Sequence, residues 1–405
     1  MASLRLWLHR LLWLSLPWSI EWPLAWGVQL WWPAELMAGL LAVLFWLHQR
    51  SLSILFRHPW VTVTVAWGWA AAIVSAFPMV SLKSMTALSA FVTVFYFSAA
   101  TYPQEERHRW GRYSTLSLAG VVLWTLFRHG IWFHWRADQA NLAPMPFFPD
   151  HNMYAAMAAA AFFLVPAWWS SHRRVCYLLM VLFGLAVCAS TSRAALGSWL
   201  LATGVAFMLH YFPQWKAVVL KSVAGLLVLL LIAMVVQPPV LARFFQRDVS
   251  LAERWNRYDC AARMAAARPW AGFGPGTFSL AYLPWQQPKW RTRISIDTPL
   301  LQRDPSNFGR GGGAHSEYLK ILAETGWPGF VLFLCLWGAV FIRLGQHIIF
   351  RENDVIWPFA ALTTLLFHFL VNDYLQDIRI AAVLWNIAAT AMFSGDFYRN
   401  QASKR

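Results

Sequence analysis

The long polar stretch from Gln237 to Gly329 is the feature that most limits how this chain can fold. It opens with two prolines, carries a cluster of arginines, and ends in GGGAHSEYLKILAETGWPG. Almost everything before and after it consists of apolar runs long enough to form membrane-crossing helices. We therefore expect any polar site to be built mainly from this stretch, at the edge of a lipid bilayer.

The composition favours a membrane protein over a soluble one. Of the 405 residues, 59% are hydrophobic and 13% are charged, and 27 are tryptophans, which typically gather at lipid–water interfaces. The net charge of +15 would suggest a nucleic-acid partner for a soluble protein. Here the basic residues lie between apolar runs and in the polar stretch. The expected partners are therefore membrane lipids and anionic lipid-linked substrates, and not nucleic acid.

The apolar runs predict an all-α polytopic membrane fold with about twelve transmembrane helices. Residues 1–236 would hold nine spans, residues 237–326 a helical loop outside the membrane, and residues 327–405 three spans and a tail. The first span, over 11–31, is the weakest because a glutamate and a proline interrupt it. Lysines and arginines of the short loops are concentrated on the side of both termini, which predicts cytoplasmic termini and an outward-facing polar loop.

Cations from distant parts of the chain are expected on that outer side. Arg193 lies between two apolar runs and is flanked by small residues, while Arg128 and Arg136 flank the fifth span. A charge at the edge of a span is costly unless it is paired, snorkels or faces water. This favours a functional role for Arg193. A simple anchor at a helix end is the alternative for each of the three.

A helix of the polar stretch is predicted to carry further arginines. The capping-box pattern Ser250-Leu-Ala-Glu253 indicates a helix from Ser250 to about Arg268, where a proline follows. On it, Arg254, Arg257 and Arg268 would fall within about 60° of one another, beside two alanines. Such a face suits a pyrophosphate, because a guanidinium offers a planar fork to phosphate oxygens. The alternative is an amphipathic helix lying on anionic headgroups.

His315 stands at the predicted start of a second helix, after three glycines and before Glu317. The positive end of a helix dipole disfavours the protonated imidazole. A neutral histidine is what a general base requires. The alternative is a histidine that is structural or simply solvated.

Several other polar groups could either contribute to the site or have a structural role. Asp150 and its neighbours are expected to cap the sixth span. Asp373, with Asn372 and Asp377, could orient a histidine, pair with an arginine, or be solvated. The glycine-rich turn over 272–276 could offer backbone amides to a phosphate or be only a turn. The four cysteines show no metal-ligand spacing.

Four segments together resemble the O-antigen ligase and polymerase superfamily of bacterial membrane glycosyltransferases. In chain order they are PDHNMYAAMAAAAF, STSRAALGSWLLA, ERWNRYDCAARMAAARPWAGFGPGTF and HSEYLKILAETGWPGFVLF. Each motif is degenerate, but their order and separation fit, and the resemblance covers about residues 140 to 390. Within the superfamily, the chain most resembles the O-antigen ligase.

The resemblance implies a GT-C-like, inverting transferase that uses no metal or other cofactor. It would move a glycan from an undecaprenyl diphosphate carrier to lipid A–core, at the periplasmic face of the bacterial inner membrane. Arg193 and Arg254 would bind the diphosphate, and His315 would activate the acceptor hydroxyl. The other candidates for binding the diphosphate or the glycan are Arg268, Arg257, Arg128 and Arg136.

Three alternative functions are open. A polymerase of the same superfamily would join glycan to glycan, but such enzymes often carry a second sizeable outer loop. A protein O-oligosaccharyltransferase would use a protein serine as acceptor. A transporter or flippase of anionic lipids would not be an enzyme, and it predicts charged or broken spans near the bilayer midplane, of which few are seen.

Overall fold

The protein is almost entirely helical in a computed structural model. The structure describes residues 2–23, 29–49, 52–237, 245, 248–293, 295, 312–350 and 353–402. The helices of the first part are α1 (Ala2–Ser15), α2 (Ala34–His48), α3 (Ser53–Arg57), α4 (Pro59–Ile73), α5 (Pro78–Val92) and α6 (Gln104–Phe127). Thr93–Ser98 and Arg128–Trp132 continue α5 and α6 as π-helical turns.

The second part of the chain carries the remaining helices. They are α7 (His151–Trp168), α8 (Arg173–Ala189), α9 (Arg193–Tyr211), α10 (Lys216–Val236), α11 (Val249–Ala267), α12 (Phe278–Ala281), α13 (Glu317–Ile349), α14 (Ile356–His368) and α15 (Ile378–Ala402). The alanine-rich α7 packs against α6, α8 and α14, and every residue of α14 except Trp357 is buried. Small side chains let neighbouring helices approach closely, so these helices form the centre of the bundle.

Among the described residues, four helical segments are long and apolar enough to cross a membrane by length and composition. They are Pro78–Ser98, Arg193–Tyr211, Pro213–Val236 and Glu317–Ile349. Shorter apolar helices accompany them, including α2, α4 and α14. The expected all-α, apolar character is therefore observed, and the figure of about twelve spans stays a prediction.

The first predicted span, 11–31, is wrong. A short β-hairpin replaces its second half, in which Ile20–Pro23 (β1) pairs antiparallel with Gln29–Trp32 (β2). α1 ends at Ser15, and Pro17 follows it in a single 3-10 turn, where its missing N–H disfavours a continued α-helix. The isoleucine and tryptophan of β1 and the two tryptophans of β2 suit strands.

α13 is kinked at Gly326, where the predicted loop helix and the following span meet. Gly326 has a φ of +69°, and a Cβ there would lie 2.2 Å from the Trp270 carbonyl oxygen. Only glycine fits this close approach without displacing the backbone. The next amide, of Trp327, donates to the Pro269 carbonyl at 2.8 Å. The segment after α11 is thereby fixed against the first part of α13, which positions the polar stretch on the bundle.

Candidate functional site

α11 begins one residue earlier than predicted and is capped by a different residue. Asp248 is the N-cap, and its carboxylate accepts the Ser250 amide at 2.8 Å. The capping-box interpretation was therefore wrong. The Ser250 hydroxyl instead accepts Nη1 of Arg254 at 3.1 Å, and Glu253 turns inward to Arg257. Both residues of the predicted capping box therefore bond to arginine side chains instead of capping the helix.

Arg257 and Glu253 form a buried ion pair inside the polar stretch. Nε of Arg257 lies 2.6 Å from the Glu253 carboxylate, and the guanidinium lies 3.9 Å from the centre of the Tyr282 ring. Glu253 also accepts the hydroxyls of Thr292, at 2.5 Å, and Ser295. Within the described part of the chain, both Nη atoms of Arg257 lack a hydrogen-bond partner. The charge of this cation is therefore only partly compensated.

His315 lies just before α13 rather than in its first turn, which corrects the predicted placement. Ser316 is the N-cap, and its hydroxyl accepts the Leu319 amide at 3.5 Å. His315 has a φ of +53°. This left-handed conformation costs a non-glycine residue about 1–2 kcal/mol. Such strain persists only where surrounding contacts determine it, and it is found most often at functional sites.

Asp373 and Tyr258 hold the backbone around His315 from two sides. The Asp373 carboxylate accepts the amides of Ala314 and His315, each at 3.1 Å. The Tyr258 hydroxyl, from α11, lies 3.1 Å from the His315 carbonyl oxygen. Burial raises the pKa of Asp373, and these two amides act in the opposite direction. Contacts from α11 and from the loop after α14 thus converge on one strained residue.

The electrostatic surroundings keep the His315 imidazole neutral. Burial, followed by the charges of Arg254 and Arg257, lowers its pKa to about 3. The neutral state agrees with the prediction, but its cause differs. Because the residue lies outside the helix, desolvation and two neighbouring guanidinium groups replace the expected effect of the helix dipole.

The start of α7 links this cluster to α9. Asp150 caps α7 as predicted, accepting the Asn152 amide at 2.7 Å, and its carboxylate also accepts the Tyr374 hydroxyl at 3.0 Å. The Asn152 side chain accepts the hydroxyl of Ser192 at 2.6 Å. Ser192 is the N-cap of α9, immediately before Arg193. One short segment therefore joins the loop that carries Asp373 to the start of α9.

Arg193 lies at the same end of α11 as Arg254. Its Nη1 is 3.4 Å from Asp248, the N-cap of α11, and 85% of its side chain is exposed. An exposed pair of this kind contributes little to stability, so the guanidinium can exchange its partner for an anionic ligand. The structure thus brings Arg193, Arg254 and His315 to one region of the molecule.

Arg254, Arg257 and Arg268 do not form the open face that was predicted, and Arg268 is the C-cap of α11. Arg257 is buried, as are the two alanines of that face, because α11 packs against α13. Arg268 is exposed and stacks over the Phe273 ring at 4.7 Å. It lies fourteen residues after Arg254, which is about 21 Å along the helix axis. Only Arg254 of the three lies partly exposed beside His315.

Arg128 and Arg136 lie on the segment after α6, each with partners of its own. Arg128 donates to the Met145 carbonyl and stacks over Phe133 at 5.3 Å. Arg136 pairs with Asp138 at 2.9 Å, and both are well exposed. Their predicted role in binding the substrate stays a prediction.

The backbone amides of the glycine-rich turn are already bonded to another part of the protein. The Glu324 carboxylate accepts the amides of Gly276 and Phe278 at 2.8 and 2.9 Å. The Gly274 amide bonds to the Glu324 carbonyl at 2.8 Å. These amides tie the turn to α13, which favours the structural interpretation over a phosphate site.

Of the polar residues after α14, Asp373 is the one that contacts the His315 backbone. Asn372 instead bonds to the His368 ring at 2.8 Å, and Asp377 pairs with Arg379. Sequence reasoning missed Tyr258, although it follows Arg257 directly, because that motif was interpreted through its arginines alone. Among the described residues, no group of three His, Cys, Asp or Glu side chains is arranged to hold a metal ion.

This geometry defines a class of site: a neutral imidazole beside exposed and half-buried arginines, at the end of a bundle of apolar helices. Such a site suits an anionic, lipid-linked substrate. Residues 178–334, from α8 into α13, match the family model of O-Antigen ligase. The chain thus carries an O-antigen ligase family domain, and the resemblance drawn from its motifs is confirmed. No curated protein matches the chain.

The family domain contains the residues that the structure brings together. Arg193, Arg254 and His315 all fall within the matched segment, whereas Asp150 and Asp373 lie outside it. The match supports a glycosyltransferase-like function of the O-antigen ligase and polymerase type, acting on polysaccharide and lipid substrates.

Proposed function

We propose that this protein is an O-antigen ligase of the bacterial inner membrane, with both termini in the cytoplasm. It transfers O-antigen polysaccharide from undecaprenyl diphosphate to lipid A–core at the periplasmic face. The observation that carries the proposal is the placement of His315, which is neutral, strained and fixed through its backbone beside Arg254. The O-antigen ligase family domain supports the reaction class.

In the proposed reaction, His315 acts as the general base. The acceptor hydroxyl oxygen attacks the anomeric carbon while its proton passes to the imidazole. The bond between that carbon and the diphosphate breaks, and the diphosphate leaves with the electron pair. This single displacement inverts the anomeric centre. Arg254 and Arg193 stabilise the charge that grows on the leaving group, so that no metal ion is required.

Arg257 has a different proposed role, because its buried side chain cannot reach a substrate. Together with Arg254 it lowers the pKa of His315. A diphosphate bound at Arg254 brings negative charge that offsets these cations and makes the imidazole a stronger base. The base would then become effective mainly when the donor is in place, which limits wasteful reaction with water.

The test is transfer by the purified full-length protein in lipid vesicles, with carrier-linked O-antigen and lipid A–core supplied. Wild type should form a new glycolipid. His315→Ala should reduce its rate by about 10²-fold or more, the usual contribution of a general base. His172→Ala is the matched control, because His172 is an exposed histidine of the loop before α8, and it should leave the rate unchanged.

Each other outcome rejects a stated part of the proposal. Lengthened carrier-linked glycan without glycolipid would identify a polymerase. Modification of an added protein acceptor instead of lipid A–core would identify a protein O-oligosaccharyltransferase. Movement of the lipid between leaflets without any transfer would indicate a transporter. Normal transfer by His315→Ala would reject this residue as the base.

A further inference from the structure

The proposed reaction gives no task to Tyr258, a residue of α11 whose side chain contacts the loop that carries His315. This side chain is 1% exposed, and its ring packs edge-to-face against Phe245 with 5.7 Å between the ring centres. Its hydroxyl lies 3.1 Å from two carbonyl oxygens, those of His315 and Leu370. Burial raises the pKa of Tyr258, so the hydroxyl keeps its proton. A hydroxyl has one hydrogen to donate, which these two acceptors share.

The backbone of Tyr258 is held in place as well. Its carbonyl oxygen accepts the side-chain amide of Gln237 at 3.0 Å. The helix that carries it, α11, packs against α13. Tyr258 is therefore a fixed point on α11, from which a hydrogen bond extends to the segment just before α13.

The hydrogen bonds of Asp373 and Tyr258 act on opposite sides of the His315 Cα atom. A peptide unit is planar, so only the torsion angles φ and ψ decide how two successive units are oriented. Asp373 accepts the His315 amide, which belongs to the unit before Cα, at 3.1 Å. Tyr258 donates to the His315 carbonyl, which belongs to the unit after Cα. Together the two bonds fix the left-handed backbone, with its φ of +53°, and so the direction of the imidazole.

Tyr258 also relates His315 to the cation proposed for the leaving group. Arg254 lies four residues earlier on α11, so the two side chains share one face of the helix, about 6 Å apart along its axis. Arg254 is close enough for its charge to act on the His315 imidazole. One helix therefore carries both the guanidinium proposed to bind the donor and the hydroxyl that holds the His315 backbone.

We propose that Tyr258 is a positioning residue for the transfer reaction, and that its hydroxyl keeps the His315 imidazole in the direction needed to take the acceptor proton. The inference rests on the proposed function, which makes His315 the general base. Tyr258 acts through the His315 backbone and exchanges no proton with a substrate, because its hydroxyl is buried between two carbonyl groups. A displacement of a reacting group by about 1 Å can cost on the order of 10²-fold in rate, so the loss of this bond should lower kcat.

Tyr318 supplies a matched control for the loss of a tyrosine hydroxyl. It lies on α13, is 2% exposed, and donates to the Leu366 carbonyl at 3.0 Å. Tyr258→Phe and Tyr318→Phe each remove a buried bond from a tyrosine to a carbonyl group near the end of α14. Of the two hydroxyls, that of Tyr258 contacts His315. Where Tyr258→Phe does not yield folded protein, 4-fluorophenylalanine in place of Tyr258 fills the volume of the hydroxyl without donating a hydrogen bond.

The first measurement is steady-state transfer by the full-length protein in lipid vesicles. Tyr258→Phe should lower kcat by about tenfold or more and change the KM of the donor by less than about twofold, because the cations that bind the diphosphate remain in place. Tyr318→Phe should change both constants by less than about twofold. An equal loss of kcat in the two variants would overturn the proposal, and so would a rise in the donor KM in place of a fall in kcat.

A double variant distinguishes positioning of the base from a general loss of structure. Because Tyr258 is proposed to act through the imidazole, Tyr258→Phe should cost no further activity once His315→Ala has removed that group. The residual rates of His315→Ala and of the double variant should therefore agree within about twofold. A further loss of about tenfold in the double variant would show that Tyr258 acts elsewhere, and the proposal would be wrong.

Chemical labelling tests the position of the imidazole without any transfer reaction. Diethyl pyrocarbonate modifies neutral imidazoles, and mass spectrometry of the peptides measures its rate at each histidine. Tyr258→Phe should raise the rate at His315 by about threefold or more, since the released segment opens more often. The exposed His172 should react at the same rate in both proteins. An unchanged rate at His315 would overturn the proposal whether or not transfer occurs. Faster labelling together with normal transfer by His315→Ala would instead reject the proposed base.

Discussion

Within the described residues, two arginines are completely buried, and their surroundings differ in one respect. Arg379 is saturated with acceptors. Its Nε lies 2.8 Å from the Asp377 carboxylate, its Nη2 also bonds that carboxylate, and its Nη1 bonds the Phe147 carbonyl. The guanidinium also lies over the rings of Trp31 and Phe148, at 4.1 and 4.4 Å. Its charge is compensated where it stands.

Arg257 has the same burial and a similar aromatic contact, but only its Nε is paired. The uncompensated part of its charge acts on neighbours, where it lowers the pKa of His315 and opposes the rise in the pKa of Asp373. A saturated buried arginine is a structural connection, whereas an incompletely paired one tunes the groups around it. The comparison therefore assigns Arg379 to stability and Arg257 to the site.

The largest expected effect is on the free energy of unfolding, and it tests the contrast between Arg379 and Arg257. Arg379→Leu should destabilise the protein by about 3–5 kcal/mol, because it leaves the Asp377 carboxylate buried and unpaired. Arg257→Met should cost less, since Glu253 keeps two hydroxyl donors. Denaturant unfolding of the purified proteins measures both. Combining Arg379→Leu with Asp377→Leu should restore part of the loss. An Arg379→Leu protein of normal stability would break the distinction.

The elements with strong local signals could be predicted from the sequence. Asp150 caps its helix as expected. His315 was placed within two residues of the start of its helix. Each of these depends on neighbours in the sequence, such as a cap residue or a change from polar to apolar residues.

The features that depend on tertiary packing could not be predicted. Helical spacing puts Arg254 and Arg257 on one face, but it does not say that α13 covers part of that face. Asp373 holds the amide of a residue 58 positions earlier, and no local pattern specifies such a contact. The β-hairpin near Glu21 was missed because a short apolar run with tryptophans fits either a strand or a helix.

The second prediction concerns the pH dependence of the transfer reaction, which tests whether nearby arginines tune His315. The pKa of His315, lowered to about 3, lies below the ordinary value of about 6.5. A general base loses activity as the pH falls through its pKa, so the acid limb of kcat/KM for the donor, which reports the enzyme before the donor binds, should lie well below 6.5. Arg254→Gln removes a charge that lowers this pKa, so the limb should move to higher pH.

The matched control for that experiment is Arg263→Gln. Arg263 lies on the same helix, is exposed, and pairs with Asp259 at 3.1 Å. It should leave the pH profile unchanged. The readout is the position of the limb and not its height, because Arg254 is also proposed to bind the donor. An unmoved limb in Arg254→Gln would show that His315 is not the group that titrates.

The smallest expected effect is on the KM of the donor, and it distinguishes Arg193 from Arg136. Both arginines are exposed, and each pairs with its own aspartate. Arg193, the first residue of α9, contacts the N-cap of α11, the helix that carries Arg254. Arg136 instead pairs with Asp138 within the loop after α6. Arg193→Ala should raise the KM of the donor by about tenfold, because one phosphate contact is lost while the base remains in place. Arg136→Ala should change that KM by less than about twofold. A tenfold effect of Arg136→Ala would place the diphosphate near the loop after α6 and away from His315. Equal, negligible effects of both would leave Arg254 as the principal cation for the leaving group.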